Sequence, residues 1–180
     1  AGGTGSLYVG GPEGHVRVGY AAGGTLRVWE GGVVTVDGGR MVVGSDILPS
    51  LGTLWVTPLG VVDLCGGTIS ADQIQVSGQL TGSGTIVGDL SFSEPEGGPG
   101  VLAPGHSPGI LVVVGNLNLA GIARFDIEGH DPGQYDLVLA GGGGPFAVTF
   151  GGILDVNFTG TYHVGDEWRL FLFDDYYGSF

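Results

Sequence analysis

The stretch GTLRVWEGGVVTVDGG, residues 24–39, returns as GTLWVTPLGVVDLCGG at residues 52–67. Laid one on the other, the two copies share Gly24/Gly52, Thr25/Thr53, Leu26/Leu54, Val28/Val56, Gly32/Gly60, Val33/Val61, Val34/Val62, Gly38/Gly66 and Gly39/Gly67. Almost everything else drifts. A pattern that keeps turn glycines and alternating apolar positions marks one supersecondary unit that buries a face against its own next copy.

Outward from this pair, Gly5 to about Phe92 is a series of short alternating runs separated by glycines, among them SLYVGG, HVRVG, RMVVG, QLTGSGTIVG and DLSF. Period-two alternation specifies strands with one buried face. Such strands fit either hairpins of an antiparallel sandwich or rungs of a parallel β-solenoid. The pattern returns in register after about 19 residues (Gly5-Ser6-Leu7 to Gly24-Thr25-Leu26) and again after about 28 residues, sensible perimeters for a coil of short strands, which favours the solenoid. The extra length of the longer repeat is assigned to SDILPS, residues 45–50, as a polar loop leaving the wall.

Composition points the same way. The 180 residues include 40 glycines without Gly-X-Y periodicity, which excludes collagen, and Gly or Pro recurs too often for long helices. A mean hydropathy of +0.34 sets the chain apart from disordered sequences. The longest apolar runs, such as Ile110–Val114, fall far short of the roughly 18 residues of a membrane-spanning helix. Eighteen acidic residues against five arginines and no lysine give a formal charge of −13, which repels phosphate backbones and excludes a nucleic-acid partner.

The expected organisation is therefore all-β. A right-handed parallel β-solenoid over residues 1–93, with repeats of about 19 to about 28 residues, is followed by a crossing loop and a more aromatic, sheet-like C-terminal cap over 110–180. The loop is EPEGGPGVLAPGHSPG, residues 94–109, with Val101 and Leu102 docking it. The cap gathers Phe125, Phe146, Phe150, Phe158, Trp168, Phe171, Phe173, Tyr176 and Tyr177, either as broader final coils or as an antiparallel sheet closing one end. Since the sequence stops at Phe180 directly after DDYYGSF, the expectation is a domain that continues or is completed by a neighbour, with Tyr176, Tyr177 and Phe180 in the self-association surface.

Residues 100–180 carry a chain of motifs: Pro104-Gly105-His106-Ser107-Pro108-Gly109, then Pro132-Gly133-Gln134-Tyr135-Asp136, then Gly151-Gly152-Ile153-Leu154-Asp155-Val156, then Gly165-Asp166-Glu167-Trp168-Arg169-Leu170-Phe171. This order resembles the C-terminal part of bacterial secreted β-solenoid proteins with autotransporter-associated β-strand repeats, including those with a PEP-CTERM-type anchor. The resemblance implies export, to the cell surface or beyond it, and a passenger or matrix role; it brings no catalytic residues.

Chemistry is sparse. Cys65 has no partner for an internal disulfide and reads as an inert thiol, standing where the earlier copy has Asp37. His15, His106, His130 and His163 lack metal-ligand spacing, so no transition-metal site is expected. His106-Ser107 reads as part of a turn, since no nucleophile elbow surrounds Ser107. Asp126, Glu128, Asp131 and Asp136 fall within one short region and are the candidate ligands for calcium, the single ion entertained; otherwise no cofactor is expected. Tyr135-Asp136 reads as a buried turn whose carboxylate accepts backbone N–H bonds. A polysaccharide-active site wants converging acid and base groups, for which five arginines and no lysine leave little material.

Three functions follow in order. First is a non-enzymatic exported structural protein, a stalk, passenger or filament subunit associating head to tail. Second is a glycan-binding module using Tyr20, Trp29 and Trp55. Last is an enzyme acting on extracellular polysaccharide.

Overall fold

The computed structural model describes residues 5–19, 24–44, 52–93, 98–106, 108–141 and 144–180. Tyr20, the SDILPS segment and Ser107 lie outside these. Among the described residues the chain is all-β, with seventeen strands and no helix.

The strands form tiers that pair in parallel with the tiers before and after. The first holds β1 (Ser6–Gly10), β2 (His15–Val18) and β3 (Thr25–Val28); the second holds β4 (Val33–Asp37), β5 (Arg40–Val43) and β6 (Thr53–Val56). The third and fourth are single long strands, β7 (Val61–Val76) and β8 (Gln79–Phe92), whose mutual register breaks between Cys65 and Thr68 and between Ser70 and Gln73. The fifth resolves again into β9 (Val101–Pro104), β10 (Ile110–Val114) and β11 (Leu117–Leu119). The sixth is β12 (Ile122–Ile127), β13 (Leu137–Ala140) and β14 (Ala147–Phe150), and the seventh β15 (Ile153–Phe158), β16 (Phe171–Phe173) and β17 (Asp175–Gly178).

Three parallel ladders run through all seven tiers, and each carries a row of apolar side chains in register. The first row is Leu7, Val34, Val62, Leu80, Leu102, Ala123, Leu154. The second is Val16, Met41, Ile69, Ile86, Val113, Ala140, Phe173. The third is Leu26, Leu54, Ile74, Leu90, Leu117, Val148, Tyr176. Because side chains alternate across a strand, one residue in two enters these rows, and from the second tier to the sixth every member is buried. Each buried aliphatic side chain contributes about 1.5–3 kcal/mol by leaving water, so the rows are the main stabilising feature.

The repeat seen in the sequence is the ladder register itself: Thr25 pairs with Thr53, Leu26 with Leu54, Val33 with Val61 and Val34 with Val62. A bulge after Val36 shifts Asp37 onto Gly66, and Arg40 with Thr68 restores the spacing. The shorter return, from Gly5 to Gly24, is not a tier-to-tier step. Ser6 pairs with Val33, so Gly5-Ser6-Leu7 and Gly24-Thr25-Leu26 begin two different ladders within one tier. They look alike because every strand start has the same need for a glycine turn and an apolar inward residue.

Two further expectations change. Residues 94–109 are not loop throughout: Val101–Pro104 is β9, joining β8 to β12, and Leu102 is fully buried. Prolines and glycines on both sides hide a short rung whose own alternation is intact. Of the two alternatives for the C-terminal aromatic region, the antiparallel sheet gives way to the other, further tiers, since β15, β16 and β17 continue the parallel ladders.

The glycines serve the corners. At Gly88 the backbone has φ +131° and a Cβ would overlap the Ala71 carbonyl oxygen of the tier below, so only glycine lets the long strand bend there.

Candidate functional site

In the seventh tier two of the three inward rows emerge into solvent. Leu154 is 38 % exposed and Tyr176 57 %, although their register partners Ala123 and Val148 are buried. Among the described residues, β15, β16 and β17 pair on one side only. This end combines an unpaired row of backbone donors and acceptors with an apolar floor, the arrangement that templates a further strand.

Aromatic rings shape that floor. Phe150 stands edge-on to Phe171 at 5.2 Å and to Phe173 at 5.6 Å, and Phe180 tilts over it at 5.1 Å. Phe125 of the sixth tier meets Phe171 edge-on at 4.9 Å, anchoring the cluster to the core. Together with Leu154 and Tyr176, the Phe150, Phe171, Phe173 and Phe180 rings line a cleft of about 460 Å³. Of the residues expected to self-associate, Tyr176 and Phe180 line this cleft, while Tyr177 points outward, 61 % exposed, in register with Thr149. Beside the cleft, Trp168 stacks on His130 at 4.7 Å and donates Nε1–H to the Gly129 carbonyl at 2.8 Å. Asp166 accepts from the His163 N–H at 2.6 Å, closing the turn that precedes Trp168.

The opposite end is plainer. Leu7, Val16, Val18 and Leu26 are half-buried against the core, and a cleft of about 290 Å³ opens beside Leu7, Leu26 and Val34.

Trp29 and Trp55 are both exposed, but they are not equivalent positions. Trp55 pairs with Arg27, whose guanidinium carbon lies 4.6 Å from the Trp55 ring and 5.7 Å from the Trp29 ring. Arg27 was not singled out from the sequence; the alignment of the two copies places it opposite Trp55, and that was the available signal.

The four calcium candidates each have local partners. Asp136 is buried and its carboxylate is already engaged: Oδ1 accepts from the Gly109 N–H and Oδ2 from the Asp126 N–H, each at 2.8 Å. Burial, only partly offset by those two bonds, raises its pKa from an ordinary 3.8 to about 6. Asp126 accepts from Asn157 Nδ2 at 2.8 Å, and Asp131 sits in an exposed turn closed through Gln134. Glu128 uses its backbone N–H to bond the Gln134 carbonyl. Gly105, with φ +86°, leaves no room for a Cβ between Gly109 and the Asp136 carboxylate. The turn at 104–109 and the Tyr135-Asp136 motif are thus two halves of one clamp.

Among the described residues, one group of three metal-ligating side chains comes together, and it is a different one: Asp63, Cys65 and His106. Cys65 and His106 are 41 residues apart in sequence, a separation that shows no ligand spacing. Burial pushes the Cys65 thiol pKa up, and the neighbouring Asp63 carboxylate adds to that.

Set against known proteins, the chain matches no family model, no curated protein and no solved structure. Among the described residues, no helix is long and apolar enough to cross a membrane.

Proposed function

We propose that this chain is a right-handed parallel β-solenoid serving as a non-enzymatic structural element, exported to the bacterial surface or its surroundings, whose ends stack on further copies to build a filament or matrix. The observation that carries the reading is the fate of the three apolar rows. They run in register from the first tier to the sixth and continue into β15–β17, where Leu154 and Tyr176 are exposed and Phe173 is half-buried, so a further parallel tier, from this chain or from another copy, extends the same ladders. A first tier, with its own half-buried row of Leu7, Val16 and Leu26, has matching chemistry, and joining unlike ends is a heterologous contact that does not close. The resemblance of residues 100–180 to autotransporter-type repeats supports export, and the Asp136 clamp gives two of those motifs a common structural purpose.

The test is sedimentation velocity with negative-stain electron microscopy over a concentration series. Rods that lengthen with concentration are expected from the wild-type chain. Leu154→Glu combined with Tyr176→Glu places charge on the exposed end and is expected to leave single short particles with an unchanged far-UV circular dichroism spectrum. Wild-type particles of one chain at every concentration would sink the assembly reading.

A second reading rests on Arg27, Trp29 and Trp55, which offer aromatic surface with a cation to acidic or neutral glycans. Quenching or shifting of tryptophan fluorescence by soluble glycans, absent in Trp55→Ala, tests it.

A further inference from the structure

At the corner between the first and second ladders, the outward side chains of the third tier and the turn after β9 converge. His106 Nε2 lies 2.9 Å from Asp63 Oδ1 and 3.8 Å from Cys65 Sγ, and Cys65 Sγ lies 3.7 Å from Asp63 Oδ2. Both the carboxylate and the thiol meet the same imidazole nitrogen. That excludes the relay arrangement of a catalytic triad, in which the base uses one ring nitrogen for the nucleophile and the other for the acid.

From this geometry we propose that Asp63, Cys65 and His106 form a three-ligand site for a single divalent ion of the zinc class. Bond lengths of about 2.3 Å to sulfur and about 2.0–2.1 Å to nitrogen or oxygen set tetrahedral edges of roughly 3.6 Å from sulfur to either lighter ligand, and roughly 3.3 Å from nitrogen to oxygen. The sulfur–nitrogen edge is already within a few tenths of an ångström of that figure, and so is the sulfur–oxygen distance, although it is made to Oδ2 while the imidazole meets Oδ1, so a single carboxylate oxygen must turn to serve both edges when an ion enters. The nitrogen–oxygen edge is shorter, at hydrogen-bond length, and opens by a few tenths when an ion replaces the shared proton. A thiolate, an imidazole and a carboxylate together select zinc over calcium or magnesium, which prefer all-oxygen shells.

The surroundings fit a ligand set. Thr81, the register partner of Asp63 in the tier above, donates its hydroxyl to Asp63 Oδ1 at 3.1 Å and so orients the carboxylate, the usual office of a supporting hydrogen bond around a metal. His106 is half exposed, which leaves a fourth position open to water and gives the ion an entry path. Asp63 and Cys65 belong to β7, whereas His106 follows β9, two tiers further on. An ion held by all three would therefore clip the third tier to the fifth across the fourth, cross-linking residues 41 apart. The site lies on the side wall, so it is independent of how the ends assemble.

The experiment is titration of the purified chain with Co²⁺, read by absorbance, followed by Zn²⁺ competition. Expected are one Co²⁺ per chain, a thiolate-to-cobalt charge-transfer band with the strong visible bands of a tetrahedral ion, and displacement of both by Zn²⁺. Cys65→Ser should abolish the charge-transfer band. Asp63→Asn and His106→Gln should each weaken binding by more than about tenfold, and Thr81→Ala, which keeps all three ligands, by about tenfold. Zn²⁺ should raise the melting temperature of the wild type and not of Cys65→Ser. Absence of the charge-transfer band in the wild type overturns the proposal, as does a midpoint in His106→Gln equal to the wild-type value, which would reduce the site to an isolated thiol.

Discussion

The fourth and seventh tiers obey one register and meet different fates. In the fourth, Leu80, Ile86 and Leu90 fill the three rows and are buried, because a tier lies on either side. In the seventh, the same rows hold Leu154, Phe173 and Tyr176, with a covering tier on one side only. The middle of the stack makes do with branched aliphatics, which pack densely when contacted from above and below. The end turns to large rings, each of which covers more area from a single side. What distinguishes the regions is the number of neighbours rather than the local pattern.

The largest expected effect tests that difference directly. Leu80→Ala should cost about 3 kcal/mol by opening a cavity between two tiers, whereas Leu154→Ala, a member of the same row, should cost less than about 1 kcal/mol because its site is open to water. Urea unfolding followed by far-UV circular dichroism measures both, and equal losses would erase the contrast. Next in size is the clamp that spaces the fifth and sixth tiers. At pH 7 and above, where the carboxyl is ionised, Asp136→Asn replaces an acceptor of two backbone N–H groups by a group with one acceptor and one donor, leaving a donor facing a donor, and should cost about 2 kcal/mol.

The smallest effect is a pH dependence with an unusual sign. The Asp136 carboxyl has a folded-state pKa of about 6, above its ordinary 3.8. Its stabilising contribution is therefore complete below pH 4 and is lost as pH rises through 6, on the order of 2 kcal/mol. Denaturation midpoints between pH 4 and 7 should show this limb in the wild type and a flatter one in Asp136→Asn. A wild-type profile that rises through that window would contradict the burial of this carboxyl as the dominant influence on it.

Much of the wall was legible because its physics is local. Val33 and Val61, or Leu26 and Leu54, occupy equivalent positions under equivalent turns, so aligning the two copies shows their pairing directly. The reading failed where tier length changes. The step from Val61 to its partner Gln79 is much shorter than the step from Val33 to Val61, with no single deletion in the sequence to mark the change. Strand β9 was hidden by neighbouring prolines and glycines, since turn chemistry on both sides of so short an alternation outweighs it in any window. The juxtaposition of Cys65 with His106 was beyond reach for the same reason as the tier lengths, as it depends on the sum of two unequal tiers. The buried-turn reading of Asp136 matched the structure, where its two carboxylate oxygens accept the Gly109 and Asp126 amides.

The ladders also determine how this molecule answers a pull. Their hydrogen bonds run from tier to tier, and the first and last tiers lie at opposite ends of the stack. Peeling one tier from the next therefore breaks the hydrogen bonds of three ladders together, and a tier paired on both sides, such as β7 or β8, has two such sets to lose.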